Sequence, residues 1–464
     1  MWGKYLEMKE RQGRIKGFQQ KFELVKTLYK CGCAKEKGIS VATIILFLLQ
    51  LVFTGKNLYR ALESGESELK KDTVYRFLNS FHINWCKVLV TVSAKAHSII
   101  ASLTSNDRAT CFVLDDTLYD RNRSKNVELI AKVYDHIYHK FMRGFRNLTL
   151  GWTDGNTFLP IAVNLLSSTD DKNVIFGART DIDKRANAYK IRKQARENTL
   201  DRAVGQLKSA IKAGITAKYC LFDSWFSFPS FIKRVTDLKI HVIAMMKNHT
   251  SKCYVYNGER VRLSTLFCRL RKSKREAEDG NVYFAEVIVD MIVAENDGVI
   301  ETMPVKIVFV QSVGNKRNWV AIVSTDTSIS DEEVVRIYGK RWSIEVFFKH
   351  CKSNLAMAKE FQGRSYDMLT AHTTIVYLRY IMLAMECRTG DDLRTCGELF
   401  WLMVDEIMDI KLDESVRLLV ESMLKSVEKT FNPSDDAMRD YCSVFLGSLP
   451  PHLREKFVFD NCES

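Results

Sequence analysis

The chain has 464 residues, of which 46% are hydrophobic and only 6 are proline, so a disordered or fibrous protein is excluded. Lysine and arginine (69) outnumber aspartate and glutamate (56), and the resulting net charge of +13 favours a polyanionic partner, because basic side chains neutralise phosphates. The longest apolar run, 41–53, is shorter than the roughly 20 residues that cross a bilayer as a helix, so we expect no membrane span.

Two features indicate the compartment. The residues before position 41 carry charges of both signs and form no apolar signal core, so we do not expect secretion. The 12 cysteines are scattered along a long chain, which favours reduced thiols over a disulfide framework. We therefore expect a cytoplasmic protein.

Residues 1–105 are predicted to be mainly helical. They contain the apolar run 41–53 and an amphipathic segment at 70–79, which Asp72 or Thr73 could cap. The basic side chains of this segment suit a helix-turn-helix unit that docks on DNA. A helical bundle with a solvated basic face explains the same pattern equally well.

The pattern becomes mixed α/β in region 106–238. Two apolar, strand-like runs, 111–114 and 219–222, each end in a carboxylate, at Asp115 and at Asp223. Apolar runs of this length are typical of buried strands. We therefore expect two buried strands that deliver aspartates at their carboxyl ends.

The residues between these strands predict a hairpin and a helix. Runs at 148–152 and 158–164 flank a turn, and Pro160 indicates an edge strand or a bulge. Apolar residues then recur at helical spacing over 183–213, with a basic flank at 184–208. This order of elements is typical of a mixed α/β sheet.

The rest of the chain divides into a strand-rich and a helical part. Region 239–327 contains five strand-like runs and a basic loop at 269–275, and we interpret it as a β-rich insertion. A start resembling a capping box at 330–333 opens a helical pattern that continues to the end. The last region, 391–464, could mediate dimerisation or form a packed helical cap.

Three carboxylates could meet if the two aspartate-bearing strands are neighbours and a downstream helix brings Glu345 to them. Three carboxylates cannot lie close together unneutralised, so one is protonated or a divalent cation joins them. Oxygen-only ligands favour Mg²⁺ or Mn²⁺. A pair of such ions could activate a water or a 3′-hydroxyl and stabilise the leaving oxygen of a phosphodiester.

The segment 338–352 carries the most informative pattern. In a continuous helix, Tyr338, Arg341, Glu345 and Lys352 fall within an arc of roughly 60°. Arginine and lysine beside a metal-binding glutamate suit an anionic substrate, because they bind phosphates. An ordinary i,i+4 ion pair between Arg341 and Glu345 is the alternative explanation. The two strand-end aspartates favour the metal site over this alternative.

With these residues the sequence resembles the DDE transposases of bacterial insertion sequences, specifically insertion sequence family four. The four residues of the helical face match the spacing of that family's Tyr-Arg-Glu-Lys signature. The family's Asp-x-Thr motif matches 115–117, and its second strand-end aspartate matches Asp223. The resemblance spans about 110–355 and includes a β-rich insertion before the glutamate.

The resemblance implies an RNase H-like catalytic core built from 106–238 and 328–390, flanked by helical amino- and carboxy-terminal regions. It implies that Asp115, Asp223 and Glu345 are catalytic and hold two divalent ions, Mg²⁺ or Mn²⁺. It also implies cut-and-paste transposition, in which the enzyme nicks the element end, forms and reopens a hairpin, and transfers the strand to target DNA.

The resemblance also implies DNA contacts. The residues that would hold phosphates near the cleaved end are Tyr338, Arg341 and Lys352. Trp319, at the head of a strand, would stack on a flipped-out base, although a strand tryptophan can equally be part of a core. The motif spacing selects Asp115 as a metal ligand and leaves Asp116 and Thr117 in supporting positions.

The implied partners follow from this chemistry. Region 1–105 would bind the terminal inverted repeats, and the segments 184–208 and 269–275 would line the DNA path. Because two ends must be held together, a homodimer is implied in the synaptic complex, in the bacterial cytoplasm on nucleoid DNA.

Two other functions remain open at this point. An RNase H-like nuclease, such as a junction resolvase, would need the carboxylates but has no evident use for Trp319 or for the complete Tyr-Arg-Glu-Lys face. A non-catalytic DNA-binding regulator derived from a transposase would not need every expected metal ligand.

Overall fold

The computed structural model describes residues 7–8, 13–64, 69–105, 107–135, 139–248, 253–270, 273–276, 282–296, 299–312, 319–389, 394–454 and 457–458. Within these ranges, no helix has both the length and the apolar character needed to span a membrane.

The first hundred residues are mostly helical. After the short strand β1 (Glu7–Met8), the helices are α1 (Arg14–Lys21), α2 (Leu24–Lys30), α3 (Val41–Gln50), α4 (Leu58–Glu63), α5 (Lys71–Leu78) and α6 (Trp85–Ser102). Helix α5 already begins at Lys71, ahead of both predicted capping residues, and it buries Val74, Phe77 and Leu78 on one face. The apolar run of the sequence forms α3 and a 3₁₀ turn, Leu51–Thr54, and the Ser40 side chain at the start of α3 accepts a hydrogen bond from the Thr43 backbone amide at 3.0 Å.

A mixed sheet of twelve strands forms the centre of the described molecule. Its strands are β2 (Cys111–Asp120), β3 (Ala131–Asp135), β4 (Lys140–Thr153), β5 (Phe158–Leu166), β6 (Tyr219–Phe222), β7 (His241–Met245), β8 (Tyr254–Tyr256), β9 (Glu259–Val261), β10 (Arg275–Glu276), β11 (Val282–Asn296), β12 (Val299–Ser312) and β13 (Trp319–Ser324). The main path is β3-β4-β2-β6-β7-β13-β12-β11-β8-β9, with β5 also beside β4 and β10 beside β11. Strands β2, β6 and β7 are parallel to one another. The predicted mixed α/β class is confirmed.

Further helices cover the sheet and continue to the carboxyl end. They are α7 (Asn187–Gln194), α8 (Thr199–Lys212), α9 (Pro229–Thr236), α10 (Leu263–Arg269), α11 (Asp331–Gly339), α12 (Trp342–Ser353), α13 (Tyr366–Thr389), α14 (Cys396–Phe431), α15 (Asp435–Ser448) and α16 (Pro451–Arg454). The final strand, β14 (Phe457–Val458), pairs with β1. One continuous apolar core joins α1–α6, the sheet and α13, and α13 is buried along most of its length.

The predicted hairpin is present as β4 and β5. The two strands are antiparallel, and their register shifts between Leu150 and Gly151, where Pro160 lies opposite. The carbonyl of Pro160 accepts a hydrogen bond from the Ser93 hydroxyl of α6 at 2.7 Å. Proline is therefore tolerated here because it lies at a bulge in an edge strand that a helix covers.

Two predicted helices are each divided in the structure. The expected helix 183–213 is α7 followed by α8, because the Asn198 side chain accepts a hydrogen bond from the backbone amide of Leu200 at 2.9 Å and starts a new helix. The signature segment is α11 followed by α12. At their junction the amides of Lys340 and Arg341 bond three residues back, at 3.0 Å each, so the chain is tightened for one turn.

The strand-rich region 239–327 is continuous with the central sheet. Strand β7, at its start, pairs in parallel with β6, and β13, at its end, pairs antiparallel with β7. Strand β7 is short and largely buried, as a central strand flanked on both sides must be. The limits of a β-rich insertion stay a prediction, but its first and last strands are integral to the sheet.

A buried ion pair connects the amino-terminal helices with the rest of the fold. The guanidinium of Arg379, on α13, donates to Glu360 at 2.7 and 3.0 Å, and both side chains are almost completely buried. The same guanidinium donates to the carbonyl of Leu49 at 3.2 Å, which lies at the end of α3. Arg379 thus neutralises a buried carboxylate and also caps a helix whose last carbonyls would otherwise be unpaired.

Candidate active site

The sheet places Asp115 and Asp223 side by side. Strands β2 and β6 are adjacent and parallel, with Val113 opposite Leu221. Each aspartate follows two residues later, so the two carboxylates reach the same level on chains that are about 4.8 Å apart. Both follow runs of fully buried apolar residues, which is why the sequence pattern could locate them.

Strand alternation separates Asp115 from Asp116. Asp115 and Thr117 point to the face of the sheet where α12 packs, and Asp116 points to the other face. There Asp116 forms an ion pair with Arg146 of β4. The Arg146 guanidinium in turn lies 4.1 Å from the ring centre of Trp225.

The same cluster also reaches Asp223. The backbone amide of Trp225 donates a hydrogen bond to the Asp223 carboxylate at 2.9 Å. Asp116 and Arg146 therefore link the two strands that carry the candidate ligands, through the ring of Trp225. The pattern of residues at 115–117 did not reveal this link, because Arg146 and Trp225 are distant in sequence.

Helix α12 carries Glu345, and Arg341 connects this glutamate with Asp115. The guanidinium of Arg341 contacts Glu345 at 2.5 Å and Asp115 at 3.4 Å. The junction that precedes α12 is held by the ammonium of Lys340, which donates to the carbonyls of Ala109 at 2.6 Å and Asp154 at 3.3 Å. Lys340 lies inside the signature but was not singled out from the sequence, since its partners are backbone atoms.

The electrostatics of the site reflect crowded carboxylates. Burial, together with the neighbouring charges of Asp223 and Asp116, raises the pKa of Asp115 to about 7. The pKa of Arg341 is raised despite burial, because Tyr338, Glu345 and Asp115 surround it. Burial raises the pKa of Tyr338 to about 12, so its hydroxyl is protonated at neutral pH.

The remaining signature residues lie on the same side of the sheet. The ammonium of Lys352 donates to the hydroxyl of Thr117 at 2.5 Å, and burial lowers the pKa of this lysine. The Arg341 guanidinium lies 5.8 Å from the ring centre of Tyr338. The signature residues therefore stay on one side although their helix is divided into α11 and α12. Glu345 and Asp115 contact Arg341, and Lys352 contacts the strand that carries Asp115.

Trp319 lies at the same edge of the sheet, but its ring is partly covered. It begins β13, which runs antiparallel to β7, so it lies at the end of the sheet where β6 delivers Asp223. Its ring stacks on Phe267 with centroids 4.5 Å apart and also contacts Phe309 at 5.6 Å. One face is thus covered by protein, and base stacking by Trp319 stays a prediction that would have to use the other face.

An exposed tryptophan that sequence reasoning did not single out lies beside the site. Trp342 is the first residue of α12 and is 62% exposed. Its place next to Arg341 was visible in the sequence, but its exposure was not.

Part of the predicted DNA path is neutralised by acidic neighbours. In the basic loop 269–275, Arg269 contacts Glu259 at 2.7 Å and Arg275 contacts Asp331, while residues 271–272 lie outside the described residues. A DNA contact by this loop stays a prediction.

The donor chemistry of the site suits a divalent cation, although the three carboxylates do not form a joint cluster. Among the described residues, no three His, Cys, Asp or Glu side chains are arranged to hold a metal ion. Arg341 lies between Asp115 and Glu345 and forms an ion pair with each. The neighbouring aspartates offer oxygen ligands only, and burial together with the charges of Asp223 and Asp116 raises the pKa of Asp115 despite the nearby Arg341.

Two protein families match this chain. A family described as DDE superfamily endonuclease matches residues 36–258. A family described as transposase DDE domain matches residues 181–382. A comparison with curated proteins found no match. The first range contains Asp115 and Asp223, and the second contains Asp223 and Glu345, so the two matches together support a transposase of the DDE superfamily.

Proposed function

We propose that the protein is a divalent-metal-dependent transposase of insertion sequence family four, which cuts DNA at the ends of its element and joins the ends to a target. The observation that carries this proposal is the meeting of three distant segments: Asp115 and Asp223 lie side by side, and Arg341 connects Asp115 with Glu345. A strand order of β4-β2-β6-β7 with β2, β6 and β7 parallel supports the RNase H-like assignment.

In the proposed mechanism Asp115, Asp223 and Glu345 would hold divalent ions, Mg²⁺ or Mn²⁺. Such ions lower the pKa of a bound water or 3′-hydroxyl and neutralise charge on the phosphodiester. Glu345 becomes available when Arg341 releases it. Arg341 is then free to bind the substrate phosphate, which a guanidinium contacts through two parallel hydrogen bonds.

The other signature residues position the DNA. Lys352 presents a half-buried positive charge beside Thr117, which lies two residues beyond Asp115 on the same face of β2. Tyr338 is partly buried and its hydroxyl is protonated at neutral pH, so it can donate a hydrogen bond to a phosphate oxygen. Region 1–105 binds the terminal inverted repeats, and two chains act together on two ends, with a hairpin as the intermediate.

The first test uses purified protein, Mg²⁺ and the DNA that flanks its own gene, with products separated on a denaturing gel. We expect nicks and hairpin ends from the unaltered protein and none from Glu345→Gln, Asp223→Asn or Asp115→Asn. Asp116→Asn is the matched control, because its carboxylate pairs with Arg146 on the other face, and it should retain cleavage. Cleavage that survives substitution of Asp223 or Glu345 would contradict the assignment.

A second reaction separates transposition from simple cutting. Pre-cut ends that carry a 3′-hydroxyl are incubated with target DNA, and joined products are measured. A nuclease without strand transfer would cut but give no joined product. Binding in the absence of any cleavage, with or without metal, would favour a regulator.

A further inference from the structure

A two-stranded arm extends beyond the part of the sheet that holds the carboxylates. Strand β2 pairs with residues 144–153 of β4. The amino-terminal residues of β4, 140–143, pair instead with β3. We call β3 and residues 140–144 of β4 the arm.

One face of the arm carries two aromatic rings and two cations. Tyr134 and Phe141 lie opposite each other, with ring centroids 5.3 Å apart, and are 41% and 67% exposed. Lys132 and Arg143 form the next pair on the same face, and Lys132 is exposed. The alternate residues of β3 are buried, so the exposed face is a consequence of strand alternation.

This arrangement is unfavourable for an isolated protein surface. Like charges directly opposite each other in an antiparallel pair destabilise the sheet. Phe141 leaves most of its apolar surface in water, so its side chain contributes little to the stability of the isolated protein. Two cations beside exposed aromatic side chains are, however, the composition that binds a nucleic-acid backbone and the apolar sugar faces between its phosphates.

The arm faces the same side as the candidate active site. Thr149 lies opposite Asp115, and alternate residues of β4 share a face, so Arg143 and Phe141 point to the side of Asp115. Arg143 and Phe141 precede Thr149 by six and eight residues in β4, a distance of about 20 and 27 Å at ~3.4 Å per residue. DNA rises about 3.4 Å per base pair, so this is the length of six to eight base pairs.

The base of the arm adjoins the amino-terminal helices. The amide of Glu128, which precedes β3, donates to the carbonyl of Arg364 at 2.9 Å. In the same stretch, the carbonyl of Glu360 accepts a hydrogen bond from the amide of Leu58, the first residue of α4, at 3.1 Å. The arm and the region proposed to bind the element end therefore lie on the same part of the molecule.

We propose that the exposed face of the arm docks on the duplex DNA of the element end, about six to eight base pairs from the cleaved phosphate. Lys132 and Arg143 contact phosphates, and Tyr134 and Phe141 cover the sugars between them. This inference rests on the proposed function, because it requires that DNA enters the site at Asp115.

The test measures the salt dependence of binding to a labelled 30-base-pair duplex from the gene-flanking DNA. Loss of two phosphate contacts in Lys132→Gln/Arg143→Gln should reduce the slope of log affinity against log salt by about 2, and affinity at 0.1 M salt by about tenfold or more. Lys425→Gln/Lys429→Gln, which removes two exposed cations of α14, is the matched control and should leave the slope unchanged. Phe141→Thr retains both charges and should lower affinity without changing the slope.

Duplex length provides the second comparison. On a duplex that ends five base pairs from the cut, the unaltered protein and Lys132→Gln/Arg143→Gln should bind equally, because that DNA does not reach the arm. Equal salt slopes for the unaltered protein and Lys132→Gln/Arg143→Gln on the 30-base-pair duplex would overturn the inference. An unchanged slope with loss of a dimer in light scattering would also overturn it and assign the face to a second copy of the chain.

Failure of the proposed function and failure of DNA docking by the arm give different results. Absence of cleavage by the unaltered protein, with a reduced slope for the arm variant, would contradict the proposed function but support DNA docking by the arm. Cleavage by the unaltered protein, with equal salt slopes for it and for the arm variant, would support the proposed function and reject DNA docking by the arm. Far-ultraviolet circular dichroism shows whether each variant is folded before it is compared.

Discussion

Replacing Asp115 by asparagine is expected to stabilise the metal-free protein while it abolishes cleavage. The pKa of Asp115 is about 7 in the folded chain against an ordinary value of 3.8. Because the folded chain holds this proton up to a higher pH, the free energy of unfolding falls as pH rises from about 4 to 7 and is level above that. At 1.36 kcal/mol for each factor of ten, ionised Asp115 costs at most about 4 kcal/mol above pH 7.

An asparagine oxygen can accept the same hydrogen bonds as Asp115, from the amide of Asp116 at 2.8 Å and from the guanidinium of Arg341 at 3.4 Å, so the charge is the main difference. In the absence of divalent metal at pH 8, we expect Asp115→Asn to have a free energy of unfolding about 2–4 kcal/mol higher than the unaltered protein, measured by urea titration. At pH 4.5 the two proteins should unfold at nearly the same urea concentration. Asp116→Asn loses its ion pair with Arg146 as well as its repulsion of Asp115, so it should be stabilised less than Asp115→Asn at pH 8. Parallel stability curves for Asp115→Asn and the unaltered protein from pH 4.5 to 8 would refute the reasoning.

Three further changes test other parts of the structure. Ala358 has a φ of +65°, so Ala358→Gly should raise the free energy of unfolding by about 1 kcal/mol in urea titrations, and a loss would show that the side chain packs usefully. Glu360→Gln leaves the buried guanidinium of Arg379 without its counter-charge and should cost about 3–5 kcal/mol, whereas a cost near zero would mean that Leu49 and its neighbours suffice. Arg146→Met removes the contact with the Trp225 ring and leaves the Asp116 charge beside Asp115 without the Arg146 counter-charge, neither of which Asp116→Asn does. It should therefore lower the cleavage rate tenfold or more, with a loss of about 1 kcal/mol in stability, and unchanged cleavage would contradict this.

The sequence could predict features that are encoded by short, local patterns. The apolar runs before Asp115 and Asp223 identify buried strands, and the position of Pro160 identifies a bulge at an edge. The spacing of the signature helix predicted a shared face for Arg341 and Glu345, and their contact agrees with it. In each case the residue types and their periodicity carry the information, independent of distant neighbours.

The sequence could not predict features that depend on partners far along the chain. Arg341 contacts Asp115, 226 residues away, so its position between the carboxylates is a property of the folded sheet. The breaks in the two predicted helices arise from single hydrogen bonds and one tightened turn, which periodicity does not register. The exposure of Phe141 likewise depends on where β2 ends, because residues 140–143 of β4 pair with β3 alone.

The continuity of the sheet through β7 and β13 bears on how the enzyme is made. Strands β2, β6 and β7 leave the ribosome first, whereas α12, which carries Glu345, follows only after β8–β13. At about 5–20 residues per second, Arg341 is synthesised some 11–45 s after Asp115. During that interval the nascent chain already has the amino-terminal helices and both strand-end aspartates, but it has no glutamate for the site. In the proposed mechanism, a translation product that stops before α12 would therefore compete for element ends without being able to cut them.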